Sequence, residues 1–147
     1  MKRKYRRYVF AVAFLRRKEP QFLLLHRTKN WKGWELPKGG FQDCEKASVC
    51  LNRELREETG QKKIKIIAKT RHFIKYPFPK GFLKDGHIYH GAKGYVFVVE
   101  LFSKKVKVDK NEHDKYMWLG MNEAMEILTH KNQKNALKYV CDRYKLS

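Results

Sequence analysis

The chain has 147 residues and a mass of 17.7 kDa, with 34 Lys plus Arg against 15 Asp plus Glu and a formal net charge of +19. That length gives a single domain able to bury roughly 68–70% of its unfolded surface, and 42% hydrophobic with 14% aromatic residues excludes a wholly disordered basic tail. The charge predicts attraction to polyanions: nucleic acid, nucleotides or acidic membrane.

Residues 1–7 carry five bases and no acid and read as a basic N-terminal tail, with one domain over 8–147. Tyr8–Arg16 and Gln21–Arg27 are apolar runs of strand length around a charged turn with Pro20, which predicts a hairpin. Arg16-Arg17-Lys18, rather than a small-residue cleavage site, follows the first run, so it reads as a core strand and not as a secretory signal. Asn30 to Gly40 is a loop rich in Trp, Gly and Pro. Glu45–Thr59 is a helix, with Ala47, Leu51 and Leu55 four apart on one face and Gly60 as its stop. Ile64–Ile74 is a strand, and Lys75–Gly94, with Pro77, Pro79 and four glycines, is a long connection. Tyr95–Phe102 and Tyr116–Leu119 are strands. Asn122–Leu128, with Asn122 as N-cap, and Gln133–Tyr144 are helices. Strands and helices mix without regular alternation, which predicts a mixed sheet with helices packed on it.

Cys44, Cys50 and Cys141 are an odd count without metal-site spacing, which fits a reducing cytoplasm. No apolar run approaches the ~20 residues of a membrane-spanning helix, so no membrane partner is expected. The sequence sets no oligomeric state.

Only residues 45–60 oppose the basic trend, with four acids against three bases. Glu54, Glu57 and Glu58 lie at i, i+3 and i+4, on one helix face and within about 5–6 Å of one another at Cβ. Such carboxylates repel. They serve either as a face that pairs with Lys and Arg or as a site for a hard cation, since Mg²⁺ binds through a few carboxylates plus substrate phosphates.

The flanking residues decide between these. Gly39, five residues, Glu45, seven residues, then Arg53-Glu54-Leu55-x-Glu57-Glu58-x-Gly60 resembles the Nudix box, G-x5-E-x7-R-E-U-x-E-E-x-G-U. Gln61 stands where the family has an aliphatic residue, which touches a packing contact and not the carboxylates. The resemblance implies an α/β fold, a Nudix α/β/α sandwich around a mixed sheet. It implies hydrolysis of a nucleoside diphosphate linked to another group, using Mg²⁺ or, as a substitute, Mn²⁺. Glu54, Glu57 and Glu58 would be catalytic metal ligands, with the backbone carbonyl of Lys38 as another. Gly39 and Gly40 would shape the loop before the helix. Glu45 and Arg53 would pin that loop to the helix, with a phosphate clamp as the alternative for Arg53.

Two further stretches narrow the subfamily. Trp34-Glu35-Leu36-Pro37-Lys38-Gly39-Gly40 and Glu112-His113-x-x-Tyr116-x-Trp118-Leu119-Gly120 resemble diadenosine tetraphosphate hydrolases and RNA pyrophosphohydrolases. Glu112 matches a loop carboxylate that serves as metal ligand or general base; a solvated turn residue is the other reading, with Asp114 as nearest substitute. In the 75–94 connection, aromatics alternate with lysines, which suits a base stacked beside a phosphate chain. Tyr76 and Tyr89 are candidates for stacking; Lys80, Lys93, Lys38 and Arg27 for phosphate. The expected substrate is a nucleoside polyphosphate, foremost a dinucleoside tetraphosphate, with triphosphorylated RNA as alternative. A non-catalytic RNA-binding protein is a third reading.

Overall fold

The structure is a computed structural model that describes residues 4–42 and 45–146; Lys2, Arg3 and Cys44 therefore lie outside the described residues. Among the described residues, seven strands form one mixed sheet: β1 (Tyr5–Leu15), β2 (Gln21–Arg27), β3 (Gly33–Glu35), β4 (Lys38–Gly40), β5 (Ile64–Lys84), β6 (His87–Leu101) and β7 (His113–Leu119). Three helices, α1 (Ala47–Thr59), α2 (Met121–Ile127) and α3 (Lys131–Tyr144), cover it. None of the described helices is long and apolar enough to cross a membrane.

β1 is the central strand, and alternation along it explains its unbroken apolar run. Phe10, Val12 and Phe14 face a core closed by α2 and α3 through Ala124, Leu128, Leu137 and Val140. Val9, Ala11, Ala13 and Leu15 face a second core closed by Cys50, Leu51 and Leu55 of α1. A strand covered on both faces has no polar side to show. The result is an α/β/α sandwich, as expected.

The sheet order is β3-β2-β1-β6-β5, with β4 also on β1 and β7 also on β2. β1 and β2 pair only next to their turn, at Phe14↔Phe22 and Leu15↔Gln21. Further along they part, and β4 takes the freed edge of β1 while β3 takes that of β2. The β3–β4 segment thus sits in the split between two strands, facing the start of α1.

The connection expected over 75–94 is instead the end of a β-ribbon. β5 and β6 pair from Ile64↔Leu101 out to Lys84↔His87, closed by Asp85 and Gly86, both at positive φ. Consecutive positive φ values make the tight turn whose twist matches a hairpin, and Asp-Gly is a preferred pair for it. Two prolines are tolerated because β5 is an edge strand and the register shifts between Pro77 and Phe82. The tail boundary also moves. β1 begins at Tyr5 and pairs in parallel with β6 from Tyr5↔Gly91, so Arg6 and Arg7 belong to the sheet. Helix starts shift by one or two residues: α1 begins at Ala47 rather than Glu45, and Gly120, not Asn122, precedes α2.

Candidate active site

α1 ends at Gly60, whose φ of 72° is open to glycine at little cost and whose N–H donates to the Arg56 carbonyl. Upstream on the same helix, Glu54 lies against Gly39: a Cβ at that position would overlap the Glu54 carboxylate. Close approach of loop backbone to helix carboxylate thus requires glycine there. In the β1–β4 ladder, Val9↔Gly39 is a hydrogen-bonded type of pair and Phe10↔Lys38 is not, since Ala11 N donates to Pro37 O and Phe41 N to Arg7 O on either side. The alternation turns the Lys38 peptide groups away from β1 and toward α1. The Lys38 backbone there works weakly against the upward push that burial gives the Glu58 carboxyl.

Arg53 organises one half of the site. Its Nε and Nη2 donate to Glu45 at 2.8 and 2.9 Å, its Nη1 to Glu54 at 2.8 Å and Glu57 at 3.4 Å, and its Nη2 also to the Gly40 carbonyl at 3.1 Å. The guanidinium is engaged by the box itself, which leaves no donor for a phosphate clamp. Hydrogen bonds from Arg53 hold the Glu45 carboxyl down at about 2. Glu57 is the exposed member of the cluster.

The other half is buried. Glu58 is 4% exposed, and its Oε2 has no partner. Burial pushes its carboxyl well above the usual range, and the charges of Glu35, Glu54 and Glu112 add to the push. Burial also raises Glu54. Beside Glu58 stand Glu112 and His113, with one ligand atom from each of the three within 4.8 Å of the others. Glu112 is fixed by its backbone, since its carbonyl accepts from Thr28 N–H at the end of β2. Asp114, the alternative to Glu112, points elsewhere and bonds His26 Nδ1 at 2.7 Å.

Sequence reasoning missed Glu35 and His113 as site residues. Glu35 has no exposed surface; its Oε2 accepts from His113 Nε2 at 2.8 Å and from Arg27 Nη1 at 3.1 Å, and Lys38 Nζ is 3.8 Å from Oε1. Burial alone would raise this carboxyl, but the His113 hydrogen bond and the charges of Lys38 and Arg27 bring it below the usual range. Their pairing spans 78 positions. The available signal was a Glu flanked by Trp34 and Leu36 in a stretch too apolar for a solvated acid.

Glu54, Glu112, Lys38 and Arg53 line an open cleft of about 730 Å³ together with Arg6, Lys29 and Lys84. Of the expected substrate residues, Arg27 and Lys38 are in its wall. Tyr76 packs half-buried against the α2/α3 core, Lys80 is exposed in the irregular stretch of β5, and Lys93 lies over the Phe73 ring at 4.6 Å and near Tyr95 at 5.7 Å. None of these three lines the cleft. Tyr89 lines an adjoining pocket of about 220 Å³ with Lys4, Tyr5, Arg6 and Arg7. Gln61, in place of the aliphatic, is buried with its Nε2 donating to Ser103 O at 2.5 Å and Lys105 O at 3.2 Å. It fills the packing position with hydrogen bonds to the segment after β6.

The donor set fits divalent cations. Carboxylates converge on one spot, two of their buried neighbours carry unpartnered atoms, and the raised Glu58 carboxyl has no protein cation beside it to offset its charged form.

The sequence model of the NUDIX domain matches residues 4–140. The RNA pyrophosphohydrolase of a Nitratiruptor species is 33% identical over 114 residues, spanning 76% of this chain and 74% of that protein. The RNA pyrophosphohydrolase of Legionella pneumophila (strain Corby) is 30% identical over 117 residues, 73% of this chain and 67% of that one. Among solved structures, a NUDIX hydrolase of Listeria monocytogenes superposes with a TM-score of 0.78 at 26% identity, covering 94% of this chain and 93% of that one. The Ap4A hydrolase of C. elegans gives 0.73 at 18% identity over 95% and 98%, a likeness of fold.

Proposed function

This chain belongs to the Nudix family and is a pyrophosphohydrolase acting on phosphoanhydride bonds; from that premise we propose that it removes pyrophosphate from 5′-triphosphorylated RNA, with Mg²⁺ as the working ion and Mn²⁺ as a substitute. The observation that carries the substrate choice is the continuation of the cleft. The larger cavity and its neighbour share Arg6, Phe41, Gln42, Lys84 and Asp85, so one groove runs from the carboxylates past Arg6 to Lys4, Arg7 and Tyr89. A basic groove with aromatic side chains, open beyond the reacting end, suits a strand that continues after its first nucleotide. The relatives named RNA pyrophosphohydrolase support the same reading. We rank it above the dinucleoside tetraphosphate that the sequence favoured. That second reading rests on a cleft volume within the usual small-molecule range of roughly 300–1,000 Å³.

Glu54, Glu57, Glu58, Glu112 and the Lys38 carbonyl are the proposed metal ligands. When bound, divalent ions neutralise phosphate charge and lower the pKa of a coordinated water. The chain itself supplies position. Arg6, Lys29 and Lys84 in the cleft lining are the cations available to the phosphates, and Arg53 holds Glu54 in place through Nη1. Glu112 is the carboxylate available to accept a proton from the attacking water. The proposed setting is the cytoplasm, consistent with Cys50 and Cys141 being free and buried.

Parallel incubation with a triphosphorylated oligoribonucleotide and with diadenosine tetraphosphate, in Mg²⁺, tests the reading. Monophosphorylated RNA plus pyrophosphate is the expected product. Intact RNA beside cleaved tetraphosphate reverses the ranking, and no turnover of either sinks both.

A further inference from the structure

The buried half of the site contains a nitrogen donor that the box does not include. His113 is 1% exposed, and its two ring nitrogens differ. Nε2 is 2.8 Å from Glu35 Oε2, whose carboxylate is also held by Arg27. Nδ1 has no partner, although it is buried. A neutral imidazole carries one proton, and a carboxylate accepts it. In the neutral ring that proton is on Nε2, and the Nδ1 lone pair is then a buried acceptor without a donor. An orphan of this kind is uncommon and requires an explanation.

The neighbours of His113 supply one. One of its ring nitrogens, with one carboxylate oxygen each from Glu58 and Glu112, forms a triangle with no side above 4.8 Å, and with Nε2 engaged by Glu35, Nδ1 is the nitrogen left for a cation. Ligand atoms on one ion at ~2.1 Å bonds stand roughly 3–4 Å apart, so the three atoms draw together to share a cation. Glu58 Oε2 is likewise buried and unpartnered. A carboxylate that receives the far N–H of a metal-bound histidine fixes its tautomer and ring angle and raises its basicity. Glu35 stands where that partner belongs.

We propose that His113 Nδ1, with Glu58 and Glu112, forms a mixed nitrogen–oxygen cation subsite, oriented by Glu35 and favouring first-row transition-metal ions, Co²⁺ more than Mn²⁺, over Mg²⁺. It deepens the enzymatic reading above by adding a ligand to that site. Imidazole suits transition metals, whereas Mg²⁺ takes oxygen. The His113 contribution therefore raises affinity for the first group selectively.

Pulsed electron paramagnetic resonance of the Mn²⁺-loaded protein reads this directly. Modulation from a coordinated ¹⁴N is expected in the wild type, changed by [¹⁵N]histidine labelling, lost in His113→Gln and kept in His26→Gln. Competition titrations should show His113→Gln lowering Mn²⁺ affinity about 10–100-fold, the range for residues that hold a metal ligand set together, with Mg²⁺ affinity changed far less. A wild-type spectrum without nitrogen modulation overturns the assignment whether or not the variant folds, as does equal loss for both ions. Bound Mn²⁺ with RNA turnover but no nitrogen signal sinks the histidine and spares the enzymatic reading. Nitrogen modulation with RNA left intact supports the histidine and sinks the RNA substrate.

Discussion

Two groups of carboxylates sit within one site, and they are held in opposite ways. Around Arg53, Glu45, Glu54 and Glu57 each meet a guanidinium nitrogen within 3.4 Å. Around Glu58, buried carboxylates and His113 face one another with atoms unpartnered. In the first half each carboxylate is hydrogen-bonded to Arg53, which ties the loop to the helix. The second carries the unbalanced charge that makes a cation site and destabilises the metal-free fold. One helix thus presents a structural and a chemical face within five residues, and substitutions should separate them.

Glu58→Gln should have the largest effect. It removes a proposed ligand and a buried repulsion together, so turnover should fall at least about 10²-fold while the melting temperature of the metal-free protein holds or rises. A matching drop in stability would collapse the distinction. Arg53→Ala should do the reverse first: it leaves Glu45 partly buried and unpaired, at roughly 3 kcal/mol, which is a fall of about 6–12 °C in a chain of this size. Arg53→Lys should rescue little, because an ammonium cannot span both Glu45 oxygens.

Mn²⁺ at a hundredfold excess over its dissociation constant should add about 2.7 kcal/mol to the wild type. Thermal shift should detect less in Glu58→Gln and a near-normal shift in Glu45→Gln. The smallest effect concerns acid. The Glu45 carboxyl is held at about 2 in the fold against 4.5 as its ordinary value. A depressed folded pKa gives stability that is complete above 4.5 and lost as pH falls through 2. Urea midpoints across that window should decline more steeply for wild type than for Glu45→Gln; parallel curves would remove Glu45 from the structural half.

The part of the site carried by α1 was readable in the sequence because its residues are local. Arg53, Glu54, Glu57 and Glu58 share a helix face, and their spacing alone declares it. Glu35 and His113 declare nothing locally, since each becomes a site residue only when β3 and β7 flank β2. The ribbon was missed for a different reason. Pro77 and Pro79 broke the strand pattern, while the Asp85-Gly86 pair, a strong hairpin signal, lay between runs that no longer looked like strands. Misreading 75–94 as a loop then placed Lys80 and Lys93 over the substrate. In a pleated strand Lys93 shares the face of Tyr95, away from Arg6 and the cleft.

The parallel pairing of β1 with β6, from Tyr5↔Gly91 to Leu15↔Leu101, has a consequence for biosynthesis. The central strand of the sheet is made first, and its full-length partner emerges more than half a chain later. At about 5–20 residues per second, β1 waits on the order of 5–20 s for this partner. The β1–β2 turn, β4 and α1 can shelter one edge and the Val9–Leu15 face in the meantime, while Phe10, Val12 and Phe14 still await α2 and α3. The five bases that precede this segment keep the waiting strand charged, and like charge between nascent chains opposes their association.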